Sequence, residues 1–146
     1  MDEINVALTD NPGPDVRQQV IGGLVAFNDH QAGSAASAEI AVLARRGEEI
    51  VGGLFSYTNW EWLFIAQLWV SAEVRAQGVG ARLLAAAEAE ARQRGCKHAH
   101  VDTFSFQALP FYERFGYRIF GQLEDYPEGR TRYFLQKRDL HAKSRS

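Results

Sequence analysis

The chain of 146 residues is poor in cysteine, with Cys96 as its single thiol. One cysteine excludes an internal disulfide bond and any metal site built from several cysteines. The thiol follows Gly95, which we expect to end a helix, and no helix N-terminus or fixed base is placed to activate it. We therefore interpret Cys96 as inert, in a chain that fits a reducing compartment.

The sequence also lacks an excess of positive charge and a long apolar run. Its formal net charge is −2 and its basic residues are scattered, which disfavours a nucleic-acid partner. No apolar run approaches the ~20 residues needed to span a bilayer, so we expect no membrane partner. Residues 1–5 are acidic and do not resemble a signal peptide. These features favour a cytoplasmic protein.

Length and composition indicate one ordinary globular domain. Hydrophobic residues make up 46% of the chain and charged residues 23%, as is typical of a domain with a single core. Neither an internal repeat nor a linker is visible. We expect one domain over residues 1–140 and a polar tail over residues 141–146.

The first half of the chain predicts an antiparallel meander. Alternating apolar residues predict a first strand at residues 4–8. Apolar residues at helical spacing follow, interrupted by two glycines that weaken the helix. Three further strands are predicted at residues 40–46, 49–57 and 60–70, with turns at 47–48 and 58–59. Two adjacent glycines, Gly52 and Gly53, predict a bulge or a close backbone approach in the middle strand.

The second half predicts helices packed on a mixed sheet. A helix at residues 78–94 should bury one apolar stripe and turn Glu88 towards water. The strand at 98–104 follows a strand–helix crossover, so it should lie parallel to the strand at 60–70. A short helix at 108–115 and strands at 117–120 and 131–135 complete the prediction. The fold class is therefore α/β, with a mixed sheet and flanking helices.

A glycine-bearing turn joins the strand at 60–70 to the long helix. Arg75-Ala76-Gln77-Gly78-Val79-Gly80 has the form Arg/Gln-x-x-Gly-x-Gly/Ala. The first N–H groups of a helix have no internal partner and carry partial positive charge, so this turn suits an anion such as a phosphate. Spacing alone leaves a bland glycine turn equally open. The dinucleotide-binding fingerprint and the Walker sequence are both absent.

A second motif lies one helix and one strand later, over residues 108–117. Its sequence is Ala-Leu-Pro-Phe-Tyr-Glu-Arg-Phe-Gly-Tyr. In their order and separation, the two motifs resemble those of the GNAT superfamily of acyl-CoA-dependent N-acyltransferases. The resemblance covers residues 40–135 and implies a GNAT-like fold, in which a central pair of parallel strands splays apart around acetyl-CoA.

The resemblance also implies a role for each matching position. Leu68, Trp69 and Val70 match the strand that pairs with the pantetheine arm. Tyr112 matches the tyrosine that gives a proton to the departing thiolate; its alternative is a half-buried aromatic on an amphipathic helix. The remaining residues expected to bind the co-substrate are Arg75, Gln77, Gly78, Val79, Gly80, Ala81, Arg82, Ser105 and Phe111.

The sequence departs from the family pattern at two positions. Ser105 stands where many members have asparagine, and it is a weaker but usable donor and acceptor. Ala66 stands where many relatives carry the glutamate base. Glu61, expected on the same strand, is our candidate for a base acting through water, although a solvated carboxylate is the more common situation. Gln67 is a candidate to hydrogen-bond the acceptor.

Three titratable groups lie on the neighbouring strand. Asp102, His98 and His100 fall within residues 98–104, and the two histidines share one face. Two histidines without a third ligand are a weak metal signal, so we expect no metal.

Together, these patterns predict an N-acetyltransferase that uses acetyl-CoA to acylate a primary amine by direct attack. The alternative is a non-catalytic acyl-CoA-binding or regulatory module on the same fold, supported by the changes at Ala66 and Ser105. The acceptor cannot be read from the sequence. Because many relatives are dimers, a homodimer stays open as an assembly.

Overall fold

The computed structural model describes residues 2–142. Contacts divide the chain into two compact units, Met1–Ala35 and Ala36–Ser146. Residues 143–146, most of the expected polar tail, lie outside the described residues. No helix of the described part is both long enough and apolar enough to cross a membrane.

The first unit contains one helix, α1 (Pro14–Ala32). Proline occupies the first helical turn, where its missing N–H costs nothing. The helix runs through both central glycines, which confirms the expected helix and extends it. The strand expected at residues 4–8 is wrong: this segment is irregular, and the Ile4 side chain is 93% exposed. Alternation alone does not make a strand, because backbone groups need a neighbouring strand to pair with.

The second unit is a six-stranded sheet with helices. The strands are β1 (Ala38–Arg46), β2 (Glu49–Asn59), β3 (Trp62–Val70), β4 (His98–Phe104), β5 (Arg118–Glu124) and β6 (Thr131–Lys137), in the spatial order β1-β2-β3-β4-β6-β5. Only the β3–β4 pair is parallel. The α-helices of this unit are α2 (Val79–Gln93) and α3 (Leu109–Arg114). The predicted mixed sheet, with its parallel central pair, is confirmed.

The hairpin between β2 and β3 turns later than expected. Asn59 still pairs with Trp62, so the turn consists of Trp60 and Glu61, which have φ angles of 45° and 67°. Two left-handed residues in a row match the twist of the flanking strands. The turn predicted at residues 58–59 is therefore wrong, and Glu61 belongs to the turn rather than to the strand.

The close backbone approach predicted at Gly52 is confirmed. A Cβ atom at this position would lie 3.2 Å from the carbonyl oxygen of Trp69. The β1–β2 register also shifts beside it, between Ala44 and Arg45. Glycine therefore allows two backbones to meet where the strand is irregular.

An extra residue in β3 separates the two central strands. Phe55 of β2 is opposite Gln67, but the next residue, Ser56, is opposite Ile65, so Ala66 is the bulged residue. The parallel pairing of β3 with β4 ends at the same level, at Ile65 and Val101. Because a bulge bends the strand that carries it, the two strands part from this point onward.

The helix α2 covers the core side of the sheet with the expected apolar stripe. Leu83, Leu84, Ala87 and Ala91 are buried, and each leucine contributes about 1.5–3 kcal/mol by its burial. The expectation that Glu88 faces water is wrong, since this residue is only 6% exposed. Its carboxylate is held by β6 and by the residue before β5, partners that the helical pattern does not reveal.

Candidate active site

A cleft of about 740 Å³ opens where β3 and β4 separate. One wall is the end of β3 and the opposite wall is the end of β4; the start of α2 and the residues of α3 close the remaining side. Of the expected site residues, the cleft brings together Leu68, Trp69, Val70, Arg75, Gly80, Phe111 and Tyr112. The edge of residues 66–70 that faces away from β2 has no strand partner within residues 2–142. Apart from the carbonyl of Val70, which accepts from Arg75, its backbone groups are available to a ligand.

The turn before α2 has the geometry of an anion site. Gly78 adopts the left-handed conformation, with φ of 77°, and no side chain caps the helix. A residue with a Cβ atom would be strained there. The N–H groups of Val79, Gly80 and Ala81 are consequently uncapped, at the positive end of a 15-residue helix.

Arg75 adds a positive charge to this part of the cleft. Its Nε donates a hydrogen bond to the carbonyl oxygen of Val70 at 3.3 Å, which fixes the side chain beside the end of β3. Within the described residues its guanidinium forms no ion pair, so its charge is available to a ligand. A helix N-terminus and an arginine together favour a phosphate or pyrophosphate group.

Gly80 of α2 lies against Phe111 of α3. A Cβ atom at this position would lie 3.3 Å from the Phe111 ring, which is tight enough to displace the ring or the helix. Phe111 in turn packs edge-on against Tyr112, with ring centroids 5.2 Å apart. The glycine therefore positions the tyrosine as well as allowing close approach to the helix start.

Tyr112 presents its hydroxyl group to the cleft. The residue is 4% exposed, and no described residue hydrogen-bonds its hydroxyl. Every fully buried side-chain oxygen of the described residues has a partner, so this hydroxyl is not fully buried, and Tyr112 lines the cleft. Burial, with a smaller contribution from the charge of Asp102, raises the pKa of Tyr112 to about 12. The phenol is therefore protonated at neutral pH and is available as a donor.

Asp102 also lines the cleft, on β4. Its Oδ1 accepts two hydrogen bonds from Arg132, from Nη2 at 2.7 Å and from Nε at 3.0 Å. The guanidinium lies over the rings of Phe104, Tyr126 and Phe134, with centroid distances between 5.1 and 5.5 Å. These contacts fix the orientation of the carboxylate and engage only one of its two oxygens.

Several expected site residues lie elsewhere. Gln77, Val79 and Arg82 line a separate groove of about 700 Å³ against β1, together with Arg45 and Arg46. The pyrophosphate cradle expected around Gln77–Arg82 is thus divided between two depressions. Gly78 and Ala81 belong to the helix start and line neither depression.

Ser105 faces β6 instead of the cleft. Its N–H donates to the carbonyl oxygen of Thr131 at 2.8 Å, and its hydroxyl accepts from the N–H of Thr131 at 3.1 Å. These two bonds tie the end of β4 to the start of β6. A serine with its hydroxyl engaged in this way is not directed at the cleft.

Glu61 is at the far end of β3 from the cleft. It forms an ion pair with Lys97 at 3.1 Å, and its carbonyl oxygen accepts from the N–H groups of Lys97 and His98. Six residue steps along a strand separate the turn from the level of Gln67, which is about 20 Å. The structure therefore does not bring Glu61 to the site with Tyr112.

The two histidines of β4 pack against aromatic rings on the same face of the sheet. His98 contacts Trp62, and His100 contacts both Trp62 and Phe64 at centroid distances of 5.7 and 4.7 Å. Burial lowers the pKa of His100, against the opposing charge of Asp102. Among residues 2–142, no group of three potential metal ligands is found.

Sequence reasoning missed Thr103 and Gln107, which both line the cleft. Gln107 Oε1 accepts from the N–H of Phe104 at 3.0 Å and from the hydroxyl of Thr103 at 3.3 Å. That hydroxyl accepts in turn from the N–H of Ala108 at 3.3 Å. This network fixes the start of α3. The sequence indicates it only by two polar residues near the end of β4.

Together, these features describe a mixed sheet whose two central strands separate beside the uncapped N-terminus of α2. Residues 13–117, more than half of the chain, match the model of the acetyltransferase (GNAT) family. The chain belongs to this family. Membership confirms the family and the fold predicted from the two motifs, and it supports an N-acetyltransferase with acetyl-CoA as its co-substrate.

Curated relatives and a solved structure agree with this assignment. The chain is 47% identical over 90 residues to the blasticidin-S acetyltransferase of Streptomyces morookaense, an alignment that spans 61% of this chain and 66% of that protein, just under two thirds. It is 34% identical to an acetyltransferase of Agrobacterium fabrum, covering 92% of this chain and 99% of the relative. The crystal structure of an acetyltransferase from Bacillus cereus has a TM-score of 0.81 at 30% identity, covering 90% and 97%.

Proposed function

We propose that this protein transfers the acetyl group of acetyl-CoA to a primary amine by direct attack. The observation that carries this proposal is one cleft with an uncapped helix start at one side and the hydroxyl of Tyr112 at the other. The first feature suits the phosphates of the co-substrate, and the second suits its thiol end. Family membership supports the same reaction.

The residues present fit the co-substrate along its length. The unpaired edge of Leu68–Val70 offers backbone donors and acceptors to an amide-containing arm. Gly80, at the uncapped start of α2, and the charge of Arg75 both belong to the cleft and are suited to a pyrophosphate. The volume of about 740 Å³ lies within the usual range of ligand-binding clefts.

Catalysis in this proposal depends on positioning two reactants rather than on a covalent enzyme intermediate. Tyr112, protonated at neutral pH, donates to the sulfur as the carbon–sulfur bond breaks. A hydrogen bond to a developing anion in a site shielded from water is strong, because little solvent competes with it. The chain uses the cleft to align the amine with the thioester carbonyl.

Blasticidin S is the first acceptor to test. The 47% identity over 90 residues to a blasticidin-S acetyltransferase supports this choice. The second candidate function is an acyl-CoA-binding module without turnover, favoured by Ala66, which leaves β3 without a carboxylate at the cleft.

The test is release of free thiol from acetyl-CoA, measured with blasticidin S and a panel of primary amines, with acetylated product identified by mass spectrometry. We expect amine-dependent thiol release and micromolar binding of acetyl-CoA by calorimetry. The variant Gly80→Val should weaken acetyl-CoA binding by about tenfold or more, because its side chain meets the Phe111 ring and crowds the helix start.

Gly95→Asn is the matched control for Gly80→Val. Gly95 has φ of 88° and no atom near a Cβ position, and asparagine tolerates that conformation. Tight acetyl-CoA binding without amine-dependent turnover would favour the binding module. Absence of both would contradict the proposed reaction.

A further inference from the structure

The cleft contains a single carboxylate within the described residues, that of Asp102. Among the other residues that line the cleft, Arg75 is charged and the rest are apolar or neutral, including Tyr112 with its protonated phenol. Asp102 Oδ1 is occupied by Arg132, whereas Oδ2 accepts no hydrogen bond from residues 2–142. One oxygen therefore fixes the side chain and the other is free to accept from a ligand.

Asp102 is level with Ala66 across the splay. Ile65 and Val101 form the last pair of the parallel ladder, and the residues that follow them are Ala66 on β3 and Asp102 on β4. Both line the cleft. The carboxylate that β3 lacks at Ala66 is thus supplied from the opposite wall, at the same height along the strands.

We propose that Asp102 is the catalytic base, which accepts a proton from the acceptor amine through its free oxygen. This inference rests on the proposed acetyl transfer. It assigns the role of base, for which the sequence indicated Glu61, a residue that lies outside the cleft.

The proton and electron balance of the step is complete. The amine nitrogen forms a bond to the acetyl carbonyl carbon while one of its N–H protons passes to Asp102 Oδ2. The carbon–sulfur bond then breaks, its electron pair stays on sulfur, and sulfur takes the proton of Tyr112. Transfer of a proton from Asp102 to the phenolate, through solvent, restores both groups. The net products are an N-acetylated amine and a thiol.

Four titratable or charged groups surround Asp102. Arg132 of β6 pairs with it, and Nη1 of the same guanidinium donates a hydrogen bond to the Tyr126 hydroxyl at 3.1 Å. His100 lies two residues earlier on the same face of β4, and Tyr112 approaches from α3. The negative charge of Asp102 adds to burial in raising the pKa of Tyr112. Once Asp102 takes the amine proton, this charge disappears and Tyr112 becomes the stronger acid for the departing sulfur.

The experiment compares kcat/KM against pH for Asp102→Asn, Asp102→Glu and the wild type, using the amine that gives turnover in the thiol-release assay. Glu90→Gln is the control, because Glu90 is a half-exposed carboxylate paired with Arg94 on α2. We expect Asp102→Asn to lose about 100-fold in kcat/KM at pH 7 and to bind acetyl-CoA within threefold of the wild type. Its deficit relative to the wild type should narrow at high pH, as hydroxide replaces the base.

Asp102→Glu keeps a carboxylate that can pair with Arg132, so it tests the same idea if the asparagine variant does not fold. It should exceed the activity of Asp102→Asn by at least tenfold. An Asp102→Asn deficit that is equally large at every pH, or a glutamate variant no more active than the asparagine variant, would overturn the assignment. A wild type that acetylates no amine would overturn the proposed reaction itself, which separates the two failures.

Discussion

Two tyrosines five residues apart, Tyr112 and Tyr117, each belong to a trio of phenol, carboxylate and cation, and the two trios are built differently. The inner trio is Tyr117, Glu88 and Lys137: the phenol donates to one carboxylate oxygen at 2.7 Å, and the ammonium lies 2.9 Å from the other. The cleft trio is Tyr112, Asp102 and Arg132. Here the cation takes one carboxylate oxygen, and the phenol bonds to neither.

The difference lies in which groups remain unsatisfied. In the inner trio every polar atom has a partner, so a buried carboxylate is tolerated. In the cleft trio, the Tyr112 hydroxyl and Asp102 Oδ2 have none within the described residues. The inner trio is therefore expected to stabilise the fold, and the cleft trio to perform chemistry.

The largest effect is expected from Tyr112→Phe. Removing the hydroxyl deletes the proton donor to sulfur, so kcat should fall by about 100-fold, with acetyl-CoA affinity within threefold of the wild type. Steady-state kinetics and calorimetry measure the two quantities. Unchanged turnover would show that Tyr112 has no catalytic role, and the cleft trio would then differ from the inner trio in structure but not in function.

A smaller effect is expected in alkaline solution. Because the pKa of Tyr112 is about 12 in the folded protein and about 10 in an unfolded chain, the folded state holds this proton more tightly. The stability it contributes is complete below pH 10 and is lost as the pH rises to 12, by about 2.5 kcal/mol. Between these pH values, the free energy of unfolding measured in urea should fall more steeply for the wild type than for Tyr112→Phe. Parallel curves would contradict the burial of this phenol.

The smallest effect is expected from Tyr117→Phe. The variant leaves one oxygen of Glu88 without its donor, which costs about 1.5 kcal/mol in the free energy of unfolding. Its kcat should stay within twofold of the wild type, because the inner trio does not line the cleft. Urea unfolding and the thiol-release assay measure both. A large loss of kcat at full stability would show that the two trios are coupled.

The sequence predicted the parts of this fold that are encoded locally. The glycine turn at Gly78 and the apolar stripe of α2 depend on neighbouring residues, and both were found where they were expected. The crossover from β3 through α2 to β4 also follows from chain order and handedness. The two family motifs are also local stretches of sequence, and they predicted that Tyr112 and Gly80 belong to one site.

The remainder depends on partners that are distant in the chain. Glu88 has the spacing of a solvent-facing residue, but Tyr117 and Lys137 reach it from 29 and 49 residues away. Ser105 was expected to face the co-substrate, yet Thr131 binds its hydroxyl. Asp102 comes level with Ala66 through the pairing of β3 with β4, two strands that are far apart in the chain. Such pairings are absent from any local pattern.

The bulge at Ala66 has a consequence for how this site can be gained or lost. A cleft formed by one surplus residue is controlled by the length of a strand rather than by the identity of its side chains. Removing that residue would bring the alternation of β3 back into step with β2 and allow the ladder with β4 to continue beyond Val101. Deletion of this one residue is thus expected to close the cavity without changing the identity of any side chain named in the mechanism.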